Sequence, residues 1–379
     1  MAAAPSDFFK TERTASEIKA ELLACFFEVW GTAMLPQANA ADMPLRCIDL
    51  LACLDGDEPN SAVLQLLRQV YKSSGSRTDL NKGVSTVFYD ADTHALAGLQ
   101  EKAEQLPFYQ DLVHPPALLQ ETGEEDLAEL ILNEEKPAFV FFNPTQEGVS
   151  QQVLQRAVEA GAPDLLMLFS PKALETALKK AKANSPLQQL FGERLEEIRA
   201  FNKQNRNPDR REEYLLNSFE EIFRSKDFYT LRFQLNLPDK KETGYYLVLA
   251  CSSDQAYTRL KELLERYSDY QEDGVPLFGA NLQAQQTALF HEHYRYAVAK
   301  LAQELLADSA NCNNRSLQYV YERHNVGTHY TLTNYFAAYE RLMRQGLVRF
   351  INPKTGQPVT KLTATSLIRY SLKKETNQQ

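Results

Sequence analysis

Two acids stand where apolar, β-rich runs of the sequence come to an end. Asp49 lies in the run 45–51, and Asp90 and Asp92 close and follow the run 85–90. A carboxylate at the end of a second parallel strand is placed to accept hydrogen bonds from ribose hydroxyls, and Asp90 or Asp92 fits that role. Asp92 has a competing use, because an Asp directly before a helical pattern beginning at Thr93 caps its first turn. After Asp49 comes the turn Ala52-Cys53-Leu54-Asp55-Gly56, whose backbone Asp49 can orient and in which Gly56 is the single glycine. Backbone that must approach a ligand closely needs positions without a Cβ, so Cys53 and Leu54 would have to be accommodated by a shifted chain. Asn143 ends another apolar run, but an amide cannot take a proton at neutral pH. The catalytic candidates are therefore Asp49 and Asn143, and the cofactor-binding candidates are Asp49, Cys53, Gly56, Asp90 and Asp92.

Other reactive residue types are poorly arranged. His291 and His293 are two apart and point to different faces of a helix, and His324 and His329 flank a turn, so no metal site is expected. Cys53 reads either as a reactive thiol beside Asp49 or as a small buried residue at a strand end. No Ser/His/Asp set and no phosphate-binding glycine loop of the Walker type is present. The five cysteines are odd in number, scattered and free of any C-x-x-C pair, a pattern that fits a reducing cytoplasm. No signal-peptide pattern and no apolar run long enough to span a bilayer occurs, so a cytoplasmic protein without membrane association is expected.

Elements that could position these residues alternate along the first two thirds of the chain. An amphipathic helix over 13–32, with Ile18, Leu22, Phe26, Val29 and Trp30 at helical spacing, precedes the first strand. Strands are expected at 45–51, 85–90, 138–142 and 164–169, with a weaker one at 113–119, and helices near 60–71, 93–105, 123–135 and 150–160. Such alternation predicts parallel strands with right-handed crossovers and helices on both faces. The charged helical region 172–224, broken near 202–211, reads as an insertion. Runs at 229–235 and 245–251, joined by turn chemistry at 238–244, predict an antiparallel pair closing the sheet. A mostly parallel sheet ending in one antiparallel strand matches, by analogy, the Rossmann-like arrangement of class I methyltransferases. With 44% hydrophobic residues over 379 positions the chain can bury such a core without disulfides.

The last third changes character. A helical stretch over 281–307, a helix at 316–323, a turn at 325–328 and a helix at 332–344 ended by Gly346 are followed by extended runs 347–351 and 359–365. Helix, turn, helix and a hairpin with the basic tip Asn352-Pro353-Lys354-Thr355-Gly356 predict a winged helix. The domains expected are 1–280, Rossmann-like with the N-terminal helix and the 172–224 insertion, and 281–379, the winged helix. Residues 311–379 carry 10 Lys/Arg against 3 Asp/Glu, a net +7, which leaves −16 on residues 1–310 given the overall −9. A basic tail on an acidic body suits a tail that alone approaches phosphates. Tyr330, Thr331, Thr333, Asn334, Arg341 and Arg344 lie on or just before the second helix, and Lys354 and Lys361 bracket the hairpin. They suit contacts to the phosphates and base edges of DNA or RNA. Glu340 and the neighbouring tyrosines suit a protein partner instead, and both readings stay open.

Several runs together resemble the three-Cys-motif partner (TcmP) family. Cys47-Ile48-Asp49-Leu50-Leu51-Ala52, followed by Asp55-Gly56-Asp57-Glu58-Pro59-Asn60-Ser61, resembles its glycine-bearing first-strand motif and acidic loop. Phe88-Tyr89-Asp90-Ala91-Asp92 sits at its acidic segment, and Phe141-Phe142-Asn143-Pro144 with Gly148-Val149-Ser150 is similar to its D-P-x-G-x-x-G-x-S segment. Pro163-Asp164-Leu165-Leu166 resembles its next strand, and Tyr321-Glu322-Arg323-His324-Asn325-Val326-Gly327-Thr328-His329-Tyr330-Thr331 resembles its C-terminal motif. The resemblance implies a methyltransferase-like Rossmann domain, a C-terminal helix-turn-helix module and operation beside a radical-SAM-like iron–sulfur protein bearing three cysteines.

Here the sequence departs from that pattern. Cys53 and Leu54 replace the Gly-Pro-Gly neighbourhood, Asn143 replaces the family carboxylate, and Thr145-Gln146 supplies no aromatic of the N-P-P-Y/F kind that stacks on a flipped base. These departures favour loss of S-adenosylmethionine binding and an accessory subunit, a pseudoenzyme that holds the partner protein and brings it to nucleic acid. An active S-adenosylmethionine-dependent methyltransferase with an unusual loop is the alternative, and a scaffold that binds only protein is a third.

Overall fold

The computed structural model describes residues 5–40, 44–54, 61–119, 137–236, 243–280 and 295–371. Gly56, His291, His293, the helix expected near 123–135 and most of the 238–244 turn lie outside them. The chain divides into two units, Met1–Leu264 and Glu265–Gln379.

In the first unit the strands are β1 (Leu45–Asp49), β2 (Val84–Tyr89), β3 (Ala117–Leu119), β4 (Ala138–Phe142), β5 (Asp164–Phe169), β6 (Tyr229–Asn236) and β7 (Thr243–Cys251). Every residue of β1, β4 and β5 is buried, as near-continuous apolar strands covered on both faces must be. The strands lie in the order β3-β2-β1-β4-β5-β7-β6. Neighbours from β3 to β5 are parallel, and β7 runs antiparallel to both β5 and β6. This is the Rossmann-like sheet of class I methyltransferases, with one reversed strand slotted between the fifth and the sixth. The direction of winding reverses between β1 and β4, which makes the ends of these strands the crevice where ligands bind in such sheets.

The longer helices described in this unit are α1 (Ala15–Ala40), α2 (Ala62–Lys72), α3 (Thr93–Glu104), α4 (Val149–Ala160), α5 (Pro171–Lys180), α6 (Pro186–Phe191), α7 (Arg194–Gln204), α8 (Pro208–Arg224) and α9 (Asp254–Glu265). Because side chains alternate along a strand, the two faces can be read separately. Ile48, Val140, Phe142, Leu165, Met167 and Phe169 meet a core built with Val153 and Leu154 of α4, Leu174 of α5, Phe191 of α6, Leu195 of α7 and Phe219 of α8. The 172–224 region is therefore not an appendage: its helices supply much of the layer over one face. The alternate residues meet α1 instead, whose Trp30 ring lies 5.5 Å from Phe139 and whose indole donates to the Asp164 carboxylate at 2.7 Å.

In the second unit, after a two-residue strand β8 (Gly279–Ala280), come α10 (Val298–Ala307), α11 (Leu317–His324) and α12 (Leu332–Arg344), then β9 (Val348–Ile351), β10 (Pro358–Val359) and β11 (Leu367–Tyr370). Strand β9 pairs antiparallel with both β10 and β11, and Ser316, just before α11, bridges Leu367. The second long strand of the hairpin is thus 367–370, not 359–365. Residues 363–366 turn back on themselves, with Ser366 N donating to Thr363 O at 3.0 Å. The carbonyls of Ala364 and Ser366 accept from Gln318 N and Leu317 N, so they serve the open amides of the first turn of α11 rather than a ladder. The helices and sheet share a core of Leu301, Leu305, Val320, Tyr335, Leu342, Val348, Phe350 and Ile368, among others.

Candidate functional site

The crevice at the ends of β1, β2 and β4 is filled from below by a side chain that sequence reasoning passed over. Lys19 projects from α1 with no solvent exposure, and its ammonium lies 2.7 Å from a carboxylate oxygen of the equally buried Asp49. It also donates to the Leu51 carbonyl at 2.5 Å and sits 5.9 Å from the Phe141 ring centroid. The other oxygen of Asp49 accepts from Leu51 N at 2.9 Å. Asp49 thus orients the turn, as expected from the sequence, but it does so as half of an internal ion pair. A signal was available: Lys19 is three residues before Leu22 and seven before Phe26, which puts it on the apolar face of the helix.

The turn after β1 closes through Leu54 N donating to Leu51 O at 3.0 Å, and none of Leu50 to Leu54 has a positive φ. That backbone is open to any residue, which explains how the turn forms without glycine. Leu54 is left 37% exposed and Cys53 half-buried. Burial first, then the Asp90 charge, pushes the Cys53 thiol up to about 12, so this cysteine is no activated nucleophile at neutral pH. Asp90 reaches across from β2: one oxygen accepts from Cys53 N at 2.9 Å and the other from Asp92 N at 3.1 Å. Asp92 caps α3 by accepting from His94 N and Ala95 N, both at 3.0 Å. Both acids offered for ribose binding therefore hold the protein's own backbone.

At the end of β4 the Asn143 amide oxygen accepts from Thr145 N at 2.9 Å and from the Thr145 hydroxyl at 2.7 Å. It shapes the turn at that strand end, a local Asx arrangement. Past β4 and β5 lies an open hollow of about 400 Å3 lined by Thr145, Glu147, Ser170, Lys172 and Lys180. At the base of β5 Asp164, buried and raised above the usual carboxylate range by desolvation, accepts from Ser252 N as well as from Trp30. It clasps α1, β5 and the end of β7 together.

In the second unit the eight residues offered for nucleic-acid contact separate by burial. Tyr330 is fully buried and reaches the backbone of Ala297. Thr331 and Asn334 form a buried capping box at the start of α12, and the Asn334 amide also donates to Gly274 O at 2.8 Å. These three build the fold and cannot reach an external ligand. Thr333, Arg341, Arg344, Lys354 and Lys361 are exposed, with Arg344 loosely paired to Glu340 at 3.5 Å.

No protein-family model matches the chain, and no curated protein matches it. The TcmP resemblance accordingly stands on its motifs alone. Among solved structures, the chain is similar to the O-methyltransferase from Bacillus cereus in complex with SAH, at 10% identity over 63% of this chain and 92% of that one, with a TM-score of 0.29. It is also similar to the plantazolicin methyltransferase BamL in complex with a triazolic desmethylPZN analog and SAH, at 8% identity over 66% and 90%, with a TM-score of 0.32. A third is the citrinin polyketide synthase CMeT domain, at 11% identity and a TM-score of 0.29, where the match takes 56% of this chain and only 47% of that one. At these scores the fold assignment rests on strand order and direction, not on the overlaps.

Proposed function

We propose that this protein is an accessory subunit whose methyltransferase-like unit no longer transfers methyl groups, and whose second unit brings it to nucleic acid. The observation that carries the first half is the bond from Cys53 N to Asp90. In a working cofactor site the second-strand acid must face ribose hydroxyls across a turn that leaves room for the methionine part. Here that acid ties the turn down, Cys53 and Leu54 stand where glycines would open it, and Lys19 holds Asp49 from beneath. The fold then survives as a surface, and the family resemblance suggests what the surface holds: a radical-SAM-like iron–sulfur protein bearing three cysteines.

The second half is supported by the order of elements from α10 to β11, which fits a winged helix with α12 as its recognition helix, and by the net +7 on residues 311–379. Calorimetric titration with S-adenosylmethionine and S-adenosylhomocysteine tests the accessory reading. No heat up to millimolar ligand is expected. Micromolar binding that disappears in Asp90→Ala or Asp92→Ala would restore the alternative, an active methyltransferase. Co-elution with a co-expressed radical-SAM-like three-Cys protein tests the partner, and separate elution removes it.

A further inference from the structure

One hollow in the second unit lies away from α12. A cleft of about 630 Å3 opens between the segment 308–315, in which Ser309–Cys312 form a single helical turn, and α11, a size at which small ligands are held. Its walls carry Arg315, Tyr319, Arg323, His324 and Asn314. The guanidinium carbons of Arg315 and Arg323 lie 4.9 and 5.4 Å from the centroid of the one Tyr319 ring. Stacking on a ring uses the flat face of a guanidinium and leaves its in-plane N–H donors free. Among the described residues no carboxylate lies within ion-pair distance of either arginine, whereas Arg224, Arg232 and Arg259 each have one. The acid on the cleft wall, Asp308, accepts from Asn311 at 2.6 Å within the same segment. That segment is tied to β11, since Asn314 N donates to Ile368 O at 2.8 Å and Asn313 accepts from Tyr370 N. On the α11 wall His324 is held by the hydroxyl of Tyr335 at 2.6 Å.

Two oriented guanidiniums with free donors, amides beside them and a rigid wall match a phosphate carried by a planar base. The donor forks suit the phosphate oxygens, and the outer guanidinium faces suit the base. We propose that this cleft binds the phosphate and base of a nucleotide, either free or as one unit of a single strand. The strand case rests on the reading that the second unit meets nucleic acid; the free-nucleotide case does not.

The test uses the full chain and a fluorescein-labelled oligothymidylate of about 12 nucleotides, followed by anisotropy at low salt, with AMP titrated separately by calorimetry. Arg315→Ala and Arg323→Ala are each expected to weaken binding roughly tenfold, the effect of losing charge-assisted hydrogen bonds. Arg315→Lys and Arg323→Lys recover only part of it, because an ammonium lacks the fork. Both arginines are exposed, so circular dichroism of the variants should match the parent. Strand binding unchanged in both alanine variants but lost in Arg341→Ala/Arg344→Ala overturns the cleft and keeps the nucleic-acid reading. AMP binding lost in Arg323→Ala, with no strand binding by the parent, keeps the cleft and overturns that reading. Neither ligand binding the parent overturns both.

Discussion

Lys19 and Asp49 form an ion pair without solvent, and removing one partner from such a pair strands the other. Lys19→Met should destabilise the first unit by about 3–5 kcal/mol, while Lys19→Met combined with Asp49→Leu should recover most of that loss. Urea unfolding of the three proteins measures both steps; a double variant as weak as the single one would mean that Asp49 matters through the Leu51 amide instead. Cys53 gives a second check at this scale. A thiol pushed up to about 12 from an ordinary 9.0 carries on the order of a thousandfold less thiolate at pH 8. Its alkylation by iodoacetamide at pH 8 should be slower than that of a free cysteine by about that factor, and should accelerate as pH rises toward 12. Mass-mapped labelling would show it. Asp49 was legible as the organiser of its turn because an acid near a strand end has few other uses. Its cation was harder to see, since only a lysine on an apolar helical face hinted at a buried partner 30 residues away.

Elements that run apolar for several residues were readable from sequence to the residue: 138–142, 164–169 and 332–344 form as their patterns require. Elements that serve another element were not. Residues 363–366 look extended by composition, yet their carbonyls cap α11, a demand that exists only once α11 lies beside them. The region 172–224 looks like a charged insertion because its polar faces dominate a linear reading, while Leu174, Leu195 and Phe219 line up only on the folded helices. Asn334 is the clearest case of an element made by a residue that reads as a contact. Its side chain closes the capping box and ties α12 to Gly274. Asn334→Ala should cost about 1–2 kcal/mol and raise amide exchange across the first turn of α12, near Thr333 and Tyr335. Exchange unchanged at those amides, with nucleic-acid binding lost, would return Asn334 to the list of contact residues.

For the whole molecule the decisive quantity is charge asymmetry, +7 on residues 311–379 against −16 before them. If the tail meets phosphates, binding to nucleic acid should weaken steeply with salt, with a log–log slope set by the number of phosphates neutralised. Arg341→Ala/Arg344→Ala should flatten that slope by about 2 if both residues contact the backbone. Affinity that ignores salt would point to a protein-binding second unit.

The sequence by itself determined the alternating strand and helix plan, an antiparallel strand pair after the parallel ones (expected at the sheet's end, whereas β7 lies between β5 and β6), the missing glycines and the basic tail. All are local patterns or sums, and neither depends on where distant residues meet. Only the tertiary structure decided that Lys19 lies under the first turn, that Asp90 and Asp92 hold backbone amides, that Tyr330, Thr331 and Asn334 are interior, and that Arg315 and Arg323 converge on Tyr319. A side chain's hydrogen-bond partner and its exposure are set by what the fold brings against it, and residue type and spacing carry no record of that.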